Sequence, residues 1–398
     1  MTIEREIYTN QIKELIDQNC IKILAGIKRA GKTKILKNTI EELKKRQTKK
    51  ENITEINFEN GTYHKIKNNT QLDKILEKKI TKEKQYIFFY EIQNVENWNE
   101  SINKLQNTNT DIYLTISNKH KLNEKLQRLK QDYKIIKIYP LNFKEIIESK
   151  KEKKEKYNEK LIFEEYLISG GIPYVSNLNE DLKLTYLEDL YNSIIFKEVV
   201  QKNPIKSTMI LDQLIRFITL NIGFPFSANS ISKYFKKQGL KISHETVYNY
   251  LTYCEEAYFI HKVKREDLIE DKVLKTNEKF YLTDHGFRQA LCLNNTECLS
   301  QILENIVYME MLRRGYSITI GKLRDKEIDF ICIKNDEKIY FQITDYLTCE
   351  NDEKREFGEL LKIENNYPKF VISADETDFS QKGIKHYNII EFLKTKSI

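Results

Sequence analysis

From about residue 20 to residue 140, short apolar runs alternate with longer charged segments that carry apolar residues at helical spacing. The runs Ile21–Ala25, Ile53–Phe58, Tyr86–Phe89, Ile112–Ile116 and Ile135–Ile138 are short enough to be strands and apolar enough to be buried on both faces. Strands of that kind, separated by helical segments, pair in parallel with helices covering the sheet. The pattern predicts a parallel α/β domain over residues 1–150.

The charged run 149–160 has no apolar periodicity and is expected to be a solvated linker or an exposed helix end, which makes it the best domain boundary. From Leu161 to about Lys202 the pattern is helical, broken only at Gly170-Gly171-Ile172-Pro173, where paired glycines and a proline cannot continue a helix. Residues 205–290 show three helical patterns and then two short apolar runs, Phe259–Val263 and Phe280–Leu282. Helices followed by a small hairpin are the outline of a winged helix. In its third helix Val247, Leu251, Cys254 and Tyr258 recur at core spacing, leaving Thr246, Asn249 and Tyr253 outward. Residues 291–398 read as a second α/β domain: a helix at Leu299–Arg313, then strand-like runs Tyr316–Gly321, Ile328–Ile333, Ile339–Thr344 and Phe370–Ser373 around a helix at about Glu353–Asn365.

Directly after the first apolar run stands Gly26-Ile27-Lys28-Arg29-Ala30-Gly31-Lys32-Thr33, a full G-x-x-x-x-G-K-[ST] sequence, and a helical pattern follows it from Lys34 onward. Strand, glycine loop and helix in that order make a phosphate cradle. The glycines let backbone N–H groups curl around phosphate oxygens, and the helix points its positive dipole end at them. Lys32 would reach the β- and γ-phosphates and the Thr33 hydroxyl would join the Mg²⁺ shell, so ATP with Mg²⁺ is the expected ligand of residues 26–34.

Composition adds limits more than direction. The 398 residues carry a formal net charge of +7 from 66 basic and 59 acidic side chains, which permits nucleic acid as a partner without requiring it. The six cysteines form no C-x-x-C pair and no zinc-like cluster with histidine, and are expected to be reduced thiols, mostly in the core. No segment has the length and apolarity of a membrane span or a leader, so a cytoplasmic protein is the expectation.

A nucleotide hydrolase needs an acidic strand end beside the phosphate loop. The segment from Tyr86 to Trp98 supplies one, and here the text resembles prokaryotic AAA+-type P-loop ATPases that carry a winged helix and a C-terminal domain of restriction-endonuclease-like, PD-(D/E)XK fold. Where members typically have Asp-Glu-Ile-Gln and a later Trp, this chain has Tyr90, Glu91, Ile92, Gln93 and Trp98. The sequence TISN at 115–118, YPLNFKEI at 139–146 and FEEYLISGGIPYV at 163–175 match further family segments, so the resemblance spans nearly the whole chain. It implies an ATP-binding domain at 1–150, a helical lid at 161–204, a winged helix at 205–290 and an inactivated nuclease-like domain at 291–398. It also implies Glu91 as the group that polarises water and Asn118, or the adjacent Ser117, as the γ-phosphate sensor.

Two departures from the family pattern bear on activity. Tyr90 stands at the metal-side Asp position, and a phenol with a pKa of about 10 is neutral at pH 7, so Mg²⁺ affinity should fall. Gln131 and Asp132 stand where a Gly-Arg pair is usual, with Arg128 the nearest substitute. The expectation is a slow ATPase or nucleotide switch; the alternative is a degenerate ATP-binding scaffold that regulates a protein partner. In the C-terminal region Asp329 and Glu304 stand where a nuclease holds its metal, but Gln342-Ile343-Thr344 replaces the E-x-K that would complete the chemistry. Nuclease activity is not expected; these acids are expected to cap strands and helices or to pair with Lys322, Lys326 or Arg324, with weak binding of a cation as the alternative. Double-stranded DNA is favoured by Lys233, Lys236, Lys237, Lys241, Lys262, Lys264 and Arg265, and opposed by Glu245, Glu255 and Glu256 on the third helix. DNA and a protein partner both stay open, as does a monomer against a weak oligomer.

Overall fold

The structure, a computed structural model, describes residues 5–106, 108–152, 157–270, 272–274, 277–293 and 295–395. The middle of the charged run 149–160 lies outside the described residues; its start forms a helix end. The chain forms two compact units, residues 1–140 with 256–258, and residues 141–255 with 259–398.

In the first unit the elements follow one another as α1 (Glu6–Leu15), β1 (Ile21–Ala25), α2 (Lys32–Lys45), β2 (Ile53–Asn57), α3 (Asn69–Leu76), β3 (Gln85–Tyr90), α4 (Trp98–Leu105), β4 (Thr110–Ile116), α5 (Leu122–Gln127) and β5 (Tyr133–Lys137). The strands form one parallel sheet in the order β2-β3-β4-β1-β5. In-register partners face the same side, so Ile23 beside Leu114 and Ile56 beside Phe89 build one continuous apolar face. Leu72, Trp98, Ile102 and Leu126 from α3, α4 and α5 close over it. On strands β3 and β4 Phe88 stacks on Tyr113 at 4.6 Å. Lys22 and Asp111 form an ion pair there with side chains 0% and 1% exposed. Asp111 also accepts from the Tyr113 hydroxyl and the Asp17 amide, so the buried charge is fully hydrogen-bonded.

The second unit begins with α6 (Phe143–Glu152), α7 (Glu159–Ser169), α8 (Glu180–Ile194), α9 (Thr208–Leu220), α10 (Ala228–Lys237) and α11 (His244–Glu256). Strands β6 (Ile260–Val263), β7 (Arg265–Asp267), β8 (Lys272–Val273) and β9 (Lys279–Leu282) follow, then α12 (Gly286–Cys292), α13 (Leu299–Arg313), β10 (Ser317–Leu323), β11 (Lys326–Lys334), β12 (Glu337–Ile343), α14 (Glu350–Leu361), β13 (Lys369–Ser373), β14 (Lys385–Asn388) and α15 (Ile389–Lys394). β6 and β9 pair antiparallel as a two-stranded ribbon. The larger sheet is mixed, in the order β14-β13-β12-β11-β10-β7-β8, and so draws β7 and β8 out of the region between β6 and β9. Of the cysteines, Cys254 and Cys332 are buried while Cys349 is exposed, so the expectation of mostly core thiols is too broad.

The Gly170-Gly171 turn after α7 is dictated by its surroundings. A Cβ on Gly170, whose φ is +69°, would lie 1.9 Å from the Asp284 carboxylate, and one on Gly171 would lie 2.0 Å from the Leu141 carbonyl. Asp284 accepts the Gly171 and Gly286 amides at 2.8 and 2.9 Å. Burial nevertheless pushes its pKa up to about 7, against the pull of those N–H groups and of Arg313. Its neighbour His285 is pushed down to about 4 by burial, with its ring N–H donating to the Tyr166 carbonyl. The two oppose each other. Between the ordinary aspartate value of 3.8 and about 7 the folded chain holds a proton on Asp284 that the unfolded chain has released, so stability falls as pH rises through that window. His285 does the reverse between its ordinary value and about 4. The Asp284→Asn variant, which mimics the protonated acid, is therefore expected to gain on the parent by about 1.4 kcal/mol per pH unit as pH rises through that window. Paired urea titrations across that range would read it, and a pH-independent difference would refute the buried acid.

Candidate functional site

The glycine loop leaves β1 where its two sheet neighbours end. The Gly26 amide donates to the Ile116 carbonyl of β4 at 3.1 Å, and the Ile138 amide after β5 donates to Ala25 at 2.7 Å. Ile138 explains the first glycine, because a Cβ at position 26 would stand 2.1 Å from its carbonyl oxygen. Gly31 at the other end adopts φ +102° and caps α2. Ile27, Lys28 and Ala30 are buried, whereas Arg29, at φ +66°, is exposed. Thr33 is exposed on the first turn of α2 and Lys34 is half-buried beside it.

The Lys32 ammonium folds over the loop, donating to the Gly26 and Ile27 carbonyls at 2.8 and 2.9 Å. Lys28 is paired with Glu59 beyond β2 at 2.7 Å. Arg5, at the start of α1, ties the loop from behind. Its guanidinium donates to the Ala30 carbonyl at 2.9 Å and to the Tyr139 and Pro140 carbonyls at 2.8 and 3.4 Å, and stacks over the Tyr8 ring. Nothing in the sequence around Arg5 marks it, since its acceptors are backbone atoms distant along the chain.

Glu91 follows β3 with φ +56°, an uncommon conformation for a residue with a side chain and one that collects at functional sites. The Thr115 hydroxyl of β4 accepts the Glu91 amide at 2.9 Å, and the Gln93 amide donates to its carboxylate at 2.7 Å. Burial raises the Glu91 pKa, but the Lys32 charge, the Ser117 hydroxyl, Gln93 and the Lys28 charge together outweigh it and hold the acid below its ordinary range. Glu91 is thus an anion close to the loop lysine. Asn118 is buried, with its side-chain oxygen accepting the His120 amide at 2.7 Å in a turn. Tyr90 points elsewhere: its phenol donates to Glu55 of β2 at 2.7 Å, and burial together with that carboxylate raises its pKa well above the ordinary phenol value. Arg128 is exposed at the end of α5.

The acids of the second unit gather as expected, around an unexpected partner. Lys279 of β9, with its side chain 3% exposed, pairs with Glu304 of α13 at 2.9 Å and Glu327 of β11 at 2.5 Å. The Tyr281 hydroxyl donates to the same Glu304 oxygen at 2.5 Å. Asp329 accepts the Ile343 amide at 2.7 Å, and burial, with the Glu304 charge adding and Lys279 opposing, raises its pKa well above the carboxylate range. Gln342 accepts the Asp329 amide at 3.4 Å, and the Thr344 hydroxyl turns to Asp345. The cation among these acids is therefore Lys279, not Lys322, Lys326 or Arg324; Lys322 pairs with Asp267. Arg265 pairs with Glu327 and is not a free wing residue. Among the described residues, no group of three or more His, Cys, Asp or Glu is placed to hold a metal, and no helix is long and apolar enough to cross a membrane.

The strand order of the first sheet, with a phosphate loop springing from β1 and an ionised carboxylate at the end of β3, is the fold of an AAA-type P-loop ATPase. The AAA domain profile matches residues 18–147, and a domain of unknown function matches residues 160–298. The chain belongs to the family of AAA-domain proteins that includes an uncharacterized protein of Haemophilus influenzae, to which it is 34% identical over 98% of either chain. An uncharacterized protein of Methanocaldococcus jannaschii is 28% identical over 90% of this chain and 83% of its own. Among solved structures, a Walker-type ATPase of Pyrococcus abyssi shares the fold with a TM-score of 0.52 at 15% identity, covering 73% of this chain and 95% of that one.

Proposed function

We propose that the chain binds ATP on residues 26–34 and works as a slow ATPase or nucleotide switch. The observation that carries this reading is the contrast at the end of β3. Glu91 is an anion within reach of the Lys32 charge, as a water-polarising group must be. Tyr90 beside it is protonated and committed to Glu55. The loop residues fit a nucleotide: Lys32 would leave its backbone acceptors for the phosphates, and Arg5 would keep the Ala30 side of the loop in place. Mg²⁺ would come with the nucleotide to the Thr33 hydroxyl, and it supplies charge neutralisation of the phosphates when bound. The fit is weaker for the metal, because the strand-end acid is missing. Asn118 is proposed as the γ-phosphate sensor.

Residues 161–204 are proposed as the lid and 205–290 as a winged helix, with double-stranded DNA as the partner and residues 291–398 as a nuclease-like domain without cleavage. Lys279 supports that last reading, since an internal ammonium already neutralises Glu304. A cytoplasmic monomer or weak oligomer is the proposed form. The second reading, an ATP-binding scaffold for a protein partner, draws on the Tyr90–Glu55 bond alone. Lys32→Ala is expected to weaken ATP binding roughly 10–100-fold, the worth of a hydrogen bond to a charged group. Nucleotide titration, followed by single-turnover hydrolysis with this variant as the blank, separates the readings: turnover above the blank supports the switch, and binding without turnover supports the scaffold. Unaltered binding in Lys32→Ala would refute both.

A further inference from the structure

Helix α10 and the turn after it carry Lys233, Lys236, Lys237 and Lys241, all exposed. Lys236 and Lys237 stand one helical turn beyond Lys233, while Ile231, Ser232 and Phe235 are buried on the other side of the helix. Among the described residues none of the four lysines forms an ion pair. Some lysines on other helices do pair with an acid one turn away, as Lys44, Lys354 and Lys394 do. Like charges at this spacing destabilise a helix. The helix dipole compensates for Lys236 and Lys237 in the last turn, but Lys233 lies before that turn and Lys241 beyond it.

Lys236, Gly239, Leu240, Lys241, Ile242 and Ser243 line an open concavity of about 600 Å³. Its lining is mostly apolar, with Leu240 and Ile242 among it, and its charged members are Lys236 and Lys241. The nearby aromatic, Tyr234, is exposed, with its ring tilted against Phe217 at 4.9 Å. The exposed side of α11 carries His244, Glu245 and Tyr248, and the helix has no lysine or arginine.

We propose that this face of α10 and its turn docks on the phosphate backbone of double-stranded DNA, and that α11 reads no bases. The proposal deepens the DNA part of the function proposed above and rests on it. Lysines are point charges suited to phosphate oxygens, and backbone contacts of this kind carry no sequence information. Four such contacts imply that log affinity falls with log salt concentration with a slope of about −3 to −4.

The test uses the full chain, two short DNA duplexes of unrelated sequence and fluorescence anisotropy over a range of NaCl concentrations. The expected result is similar affinity for both duplexes with that slope. In Lys236→Gln/Lys237→Gln/Lys241→Gln the slope should approach about −1 and binding at low salt should weaken tenfold or more. Lys→Arg at the same positions should keep binding, which separates charge loss from misfolding. A preference for one sequence, tighter binding of the corresponding single strands, or a triple Gln variant with unaltered slope would each overturn the proposal. A chain that binds ATP but no DNA overturns this surface alone. A chain that binds DNA in this way but no ATP supports the surface and refutes the reading of the glycine loop.

Discussion

Lys279→Met is expected to destabilise the second unit by about 3–5 kcal/mol, the usual consequence of stripping one partner from a buried charge cluster. Met fills much of the same volume, so little of the loss comes from packing. What remains are Glu304 and Glu327, no longer neutralised, and Asp329, whose carboxyl already resists ionising because Glu304 is near. The Tyr281 hydroxyl cannot substitute, since it donates one hydrogen bond and carries no charge. Adding Glu304→Gln to Lys279→Met should recover part of the loss by removing the closest orphaned charge. Denaturant titration of the three variants reads both effects. A loss below about 1 kcal/mol in the single variant would mean that the cluster is solvated and not held together by its ammonium.

Tyr90→Asp is expected to change two properties together. The ring is buried, 4% exposed, and its hydroxyl satisfies Glu55, so the variant leaves a gap and a carboxylate facing Glu55. Stability without nucleotide should fall by about 3–5 kcal/mol, as for other large-to-small changes of a buried aromatic. With ATP and Mg²⁺ the variant should regain more stability than the parent does, because the new acid can share the metal. Single-turnover hydrolysis should rise roughly 10–100-fold, which corresponds to about 1.5–3 kcal/mol from one added charged contact. Unchanged turnover in a folded variant would remove the missing acid as the cause of slow hydrolysis.

The five parallel strands were legible because each is a continuous apolar run, and the glycine loop because its spacing is a backbone requirement. Strands β7 and β8 escaped for the opposite reason: Arg265–Asp267 and Lys272–Val273 are too short and polar to show a period. Glu304 and Asp329 are legible as members of one site, but their cation is not one of the basic residues nearest in sequence. Lys279 lies in a strand whose charged residue looks solvated until α13 packs against it. Spacing alone puts Tyr258 on the core face of α11. The helix ends at Glu256, and Tyr258 takes φ +56° beyond it. For Glu91 the sequence supplied the residue and the fold supplied its ionisation, which depends on Lys32, Ser117 and Gln93 converging from three segments.

Arg5 gives the amino-terminal end of the chain a standing it would not otherwise have. One guanidinium there joins the Ala30 carbonyl to the Tyr139 and Pro140 carbonyls, across sequence separations of 25, 134 and 135 residues. Trimming the chain inside α1, or fusing a bulky partner hard against it, would therefore slacken a loop whose motif begins only at Gly26.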